Sequence, residues 1–77
     1  MTNTNTETAN AAAEMYHQIH QAGGAAAPVS AMDIHNATIA KGYSSEAAIG
    51  ALNTLIADAD VVITETFTGM VETVRLA

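Results

Sequence analysis

Cysteine and tryptophan are both absent from this 77-residue chain, and proline and phenylalanine occur once each. The lack of thiols excludes disulfides, thiol catalysis and cysteine-held zinc or iron–sulfur centres. Basic residues are nearly absent too: Lys41 and Arg75 stand against eight acids, for a net charge of −6. A duplex DNA binder ordinarily neutralises several phosphates with Lys and Arg. Two such groups, far apart in sequence, disfavour nucleic acid and leave a protein partner with a basic surface electrostatically easier. No apolar run approaches the roughly 18 residues of a membrane span. The polar opening stretch, without Lys or Arg, is not a secretion signal. A cytoplasmic protein is the resulting expectation. Of 38 apolar residues, 17 are alanine. The 21 larger ones suffice for one thin core, in a chain short enough to gain from association with a partner or a second copy.

Residues 1–9, in which Thr alternates with Asn or Glu, read as a disordered leader, and residues 10–77 as one domain. Ala12, Met15, Tyr16 and Ile19 form an apolar stripe on a first helix over Ala11–Gln21, with Asn10 as N-cap and Gly23–Gly24 as terminator. Pro28 marks an extended connector. Ser30 caps a second helix, with Asp33 in its first turn, Ile34 and Ala37 facing inward, and Lys41 and Gly42 at its end. Ser44 or Ser45 caps a third helix running to about Ala57, whose stripe is Ala48, Ile49, Leu52, Leu55 and Ile56. Val61–Thr66 and Val71–Leu76 read as strands around a turn in which Gly69 takes positive φ.

The order is helix, helix, short turn, helix, hairpin. The residues that carry it are Pro28-Val29-Ser30-Ala31-Met32-Asp33-Ile34, Tyr43-Ser44-Ser45-Glu46-Ala47-Ala48-Ile49, Leu52-Asn53-Thr54-Leu55-Ile56 and Val61-Val62-Ile63. From Ala13 to Leu76 the chain resembles the winged helix-turn-helix superfamily. The resemblance implies an α+β fold of three helices with a C-terminal two-stranded β-hairpin as wing. It also implies a third helix in the role of recognition helix, with DNA as the usual target.

The residues on that helix depart from this use. Opposite its stripe lie Ala47, Gly50, Ala51 and Thr54, with Ser45, Glu46 and Asn53 at the margins, and none is Lys or Arg. Guanine is ordinarily read by Arg, and adenine by Asn or Gln. The small-residue face is either a bland solvent face or a surface that lets a partner approach closely, which would explain Gly50 in mid-helix. Phe67 at the wing tip either enters a partner pocket or folds back on Met70. Tyr16 reads as core, and Tyr43, in the turn, either covers the core or stands as an exposed anchor for binding.

Catalytic chemistry finds no support. Ser30, Ser44 and Ser45 are explained as caps, and Gly23-Gly24 lacks the Lys and Ser of a phosphate loop. Glu14 and His20 diverge by roughly 120° around a helix, too far to share a metal with His17. His35 reads as a surface or boundary residue. Asp58, Asp60 and Glu65 lack calcium-loop spacing. No enzyme, metal or cofactor is expected.

The expectation is therefore a small acidic non-enzymatic interaction protein. It would bind a protein with a basic surface, or a second copy, through Glu46, Ala47, Gly50, Thr54, Asp58, Asp60, Glu65, Phe67 and Glu72. Its size and charge suit an inhibitor of nucleic-acid-binding machinery of the phage or anti-CRISPR kind, occupying basic grooves that would otherwise hold phosphates. The alternative is a homodimeric DNA-binding transcriptional regulator that uses Ser45, Asn53 and Thr54 on bases and Lys41 and Arg75 on phosphates.

Overall fold

A computed structural model describes residues 2–77, with side chains from Thr6 onward. The elements are α1 (Thr2–Gln21), β1 (Val29–Ser30), α2 (Ala31–Ala40), α3 (Ser45–Ala57), β2 (Val61–Phe67) and β3 (Met70–Leu76). Three helices and an antiparallel three-stranded sheet make an α+β fold, with the C-terminal hairpin placed as in a winged-helix-like arrangement.

Sequence signals set the element ends. Ser30 Oγ accepts from the Asp33 N–H at 3.3 Å, and Ser44 Oγ accepts from the Ala47 N–H at 3.1 Å. Each hydroxyl satisfies one of the amides that the first helical turn leaves free. After α1, the Gly24 N–H donates to the Ile19 C=O at 2.8 Å and the Gly23 N–H to the His20 C=O at 3.1 Å, which closes the last turn.

Residues 2–9 of the leader expected to be disordered are instead the start of α1, Met1 lying outside the described residues; the helix runs straight through Asn10, so that residue is not a cap. The physical reason is tertiary. Glu7 Oε2 accepts from the Ser44 N–H at 3.1 Å, and Thr8 lies against Gly50, so this stretch is held by the start and middle of α3. Polar composition alone could not disclose those contacts.

The core lies between α1, α3 and the sheet. Met15, Ile19, Val61 and Val74 are its largest fully buried apolar side chains, completed by Ile34, Leu55 and Leu76. Burying each is worth about 1.5–3 kcal/mol. Thr38 is fully buried as well, and its hydroxyl donates to the Ile34 C=O at 2.9 Å, so that hydroxyl is not stranded. Tyr43 packs half-buried against this cluster, the first of its two alternatives, whereas Tyr16 does not join it and is 41% exposed. The α1 stripe is narrower than its periodicity suggests, because its partner on α3 is a row of alanines.

That row corrects the orientation expected for α3. Ala47, Ala48, Ala51 and Leu55 face the core, and Ile49 is 54% exposed. Alanines on α3 meet Ala11 and Ala12 of α1, small against small, which lets two helices approach closely. Ile49 is therefore left outward, while Leu52 and Ile56 pack half-buried at the margin of the core.

The sheet has one strand more than expected. The connector after Pro28 supplies β1, which pairs Val29 with Val74 and Ser30 with Thr73, so β3 is central in the order β1-β3-β2. The hairpin turn is just Thr68-Gly69, at φ 51° and 81°, and Phe67 and Met70 belong to the strands. Positive φ at both turn residues matches the twist of the flanking strands. Pairing shifts at Thr64 on β2 and again at Glu72 on β3, so the register recovers toward the tip. Such bulges sharpen the local twist. Among the described residues, no helix is long and apolar enough to cross a membrane.

Candidate interaction surface

The outward face of α3 carries Ser45, Glu46, Ile49 and Asn53, all exposed. These positions fall within one helical stripe. No cation is among them. Beside this face lie the start of α2 and the tip of the hairpin. Met32, Ile49, Phe67 and Met70 are between 54% and 68% exposed. Together with the half-buried Leu52 and Val71 they line one groove, and Asn53, His35 and Glu72 contribute its polar groups. Single exposed apolar side chains are normal on a small protein, whereas here large ones converge from four elements, α2, α3, β2 and β3.

A second, more polar depression lies between α1 and the end of α3. Tyr16, Thr54, Asp58 and Asp60 line it, with Ala9, Ala12, Ala13 and Leu55. The two acids sit there because α3 terminates at Asp58 and the chain reverses at Ala59, which has φ 61°.

The residues expected to bind a partner thus separate. Phe67 and Glu72 line the apolar groove, and Glu46 shares the α3 face of Ile49. Asp58, Asp60 and Thr54 line the other depression. Glu65 is exposed on β2 and accepts from the Thr73 hydroxyl at 3.3 Å, outside both. Ala47 is removed from the surface altogether, and Gly50 is half-buried beneath Thr8. Of the two alternatives for Gly50, a bland solvent face or a close approach, it is the approach that exists, but the visiting helix is the chain's own α1. Phe67 stands 67% exposed and is paired in register with Met70, which is equally open.

For DNA, the structure offers little that converges. Lys41 is exposed at the end of α2, and Arg75 is exposed on β3 with its guanidinium donating to the Leu76 C=O at 3.2 Å. Neither lines either of these two depressions. Ser45 and Asn53 are exposed on α3, and Thr54 is half-buried toward the Asp58 side.

Sequence reasoning missed Met32, Ile49, Leu52, Met70 and Val71 as surface residues. One signal was available. Ala11-Ala12 on α1 and Ala47, Ala48 and Ala51 on α3 are complementary small-residue stretches, and pairing them turns Ile49 outward. Comparison with protein-family models, with curated proteins and with solved structures found no match.

Proposed function

We propose that this chain is a non-enzymatic interaction protein on a winged helix-turn-helix scaffold, binding a protein partner that presents a basic surface. In that role it would act as an inhibitor of nucleic-acid-binding machinery, occupying a site that otherwise holds phosphates. The observation that carries the reading is the outward face of α3: Glu46, Ile49 and Asn53, continuous with Met32, Phe67 and Met70. A recognition helix that meets phosphates needs cations, and this one presents an acid and exposed aliphatic surface. The net charge of −6 supports the same choice, since it repels polyanions and draws basic surfaces at long range.

The test is co-purification from the host with tagged wild-type chain and with Glu46→Lys/Asp58→Lys/Glu72→Lys. All three acids are exposed, so the variant retains its circular dichroism spectrum. The reading requires a protein that the wild type retains and the variant loses. Equal recovery by both would remove it. So would a mobility shift on duplex DNA at low salt without any protein partner, which is the behaviour of a transcriptional regulator.

A further inference from the structure

We propose that the groove between α2, α3 and the hairpin takes an extended segment of the protein partner in which apolar side chains alternate with lysine or arginine. The segment lies along the edge of β3 that β1 leaves unpaired. This inference rests on the partner-binding reading above and specifies the chemistry of the bound segment.

Three observations converge on it. The first is the sheet edge. β1 pairs with Val74 and Thr73 and then turns into α2 at Ala31, so from Met70 to Glu72 the central strand has β2 on one side and no strand on the other. In a two-residue hairpin the pair closing the turn, here Phe67 and Met70, exchanges its hydrogen bonds. Val71, the next residue, therefore directs its N–H and C=O to the opposite edge, the one β1 leaves free. Val71 and Glu72 also line the groove. A strand added there continues the sheet where β1 stops.

The second is the lining. An added strand sends alternate side chains to one face. That face meets Met32, Ile49, Leu52 and Met70, an apolar surface containing two flexible thioethers that adapt to varied side chains.

The third is charge. Glu72 lies in the groove wall, Glu46 precedes Ile49 by one turn on the same face, and neither Lys41 nor Arg75 lines the groove. A lysine or arginine alternating with the apolar anchors meets these acids. A second copy of this chain brings another −6 and only two cations, Lys41 and Arg75, set far apart in sequence, so the charge selects a basic partner over self-association.

The probe is a fluorescein-labelled peptide of alternating valine and lysine, about eight residues long, the length of a long strand. Binding is read by anisotropy in about 0.15 M salt, where exposed charges act over only about 8 Å. The lysine peptide should bind. Versions with glutamate in place of lysine, or with alternate backbone nitrogens methylated, should bind about tenfold more weakly or worse, a loss of about 1.4 kcal/mol. Ile49→Glu and Met70→Glu, at exposed positions that leave the fold intact by circular dichroism, should each weaken binding about tenfold. Glu46→Lys/Glu72→Lys should weaken it far more than Asp58→Lys/Asp60→Lys, which changes net charge equally. The Val71 amide should be among the most shifted in a heteronuclear NMR spectrum.

Failure of the lysine peptide to bind overturns the inference, as does equal binding by the methylated peptide. Equal losses in the two charge-reversed pairs overturn it too, since they indicate diffuse attraction. A dimer that Ile49→Glu dissociates would place a second copy in the groove and overturn it as well. If the co-purified partner survives Ile49→Glu/Met70→Glu but not reversal of the acids, the groove assignment falls while the partner-binding reading stands.

Discussion

Gly50 and Thr8 touch where α3 crosses α1: a Cβ placed on Gly50 would sit 3.1 Å from Thr8 Cγ2 and 3.4 Å from its Oγ1. This contact joins the middle of α3 to a segment whose composition gives no hint of order. Glycine inside a helix costs about 1 kcal/mol relative to alanine. Gly50→Ala alone should therefore change stability little, because the gain in helix propensity is offset by displacing Thr8. In a Thr8→Ala background the methyl and hydroxyl are gone, and Gly50→Ala should stabilise by about 1 kcal/mol. A double-mutant cycle by urea unfolding measures the difference. Strict additivity would mean that the two helices do not meet here.

That crossing also explains what could and could not be read in the sequence. Caps and breakers act locally, so Ser30, Ser44, Gly23, Gly42 and Gly69 stand where their chemistry placed them, and the order of helices and hairpin follows. The facing of α3 is a tertiary choice. Periodicity favoured Ile49 and Leu52 as the buried stripe, yet the alanines of α1 accept only a small-residue face, and Ile49 was left outside. The same substitution of neighbours exposed Tyr16. β1 is two residues long, too short for alternation to register, and exists because β3 offers it an edge. Of the surface, the acids were legible one by one, but their separation into two places depended on the packing. The apolar groove was hidden because Met32, Ile49 and Met70 come from three elements that only the fold brings together.

Gly24 should tolerate no side chain. It is buried, and a Cβ there would lie 2.3 Å from Ile19 Cγ2 and 2.8 Å from the Ile19 carbonyl oxygen. A rotamer change relieves the side-chain clash, but the backbone oxygen belongs to the hydrogen bond that closes α1. The Gly24 carbonyl in turn accepts from the Leu76 N–H at 2.9 Å, tying the end of β3 to this loop. Gly24→Ala should cost about 2–3 kcal/mol, at the upper end for single substitutions, through overpacking and loss of these bonds. Gly23→Ala, with open space around its Cβ but φ at 90°, should cost less, about 1–2 kcal/mol from backbone strain alone. Thermal unfolding of the pair checks the order, and a cheaper Gly24→Ala would contradict the packing described for α1.

The end of α3 holds a stability reserve that this chain has not used. Ala59 takes φ 61°, a left-handed conformation, while its N–H donates to the Ile56 C=O at 3.0 Å and the Asp60 N–H donates to the Leu55 C=O at 2.9 Å. This is the helix-ending arrangement that glycine ordinarily fills. An L-residue there carries a cost of about 1–2 kcal/mol, and glycine removes it while adding about 0.4–1 kcal/mol of unfolded-state entropy. Ala59→Gly should therefore stabilise the fold by about 0.5–1 kcal/mol. Ala59→Val, with a branched side chain in the same conformation, should destabilise it by a comparable amount or more. Both are read from urea midpoints at unchanged slope. Because Asp58 and Asp60 flank the residue and keep their exposure, neither substitution should alter binding through the α3–hairpin groove. A glycine variant less stable than the parent would mean that the chain does not reverse at Ala59, and that the placement of both aspartates must be redrawn.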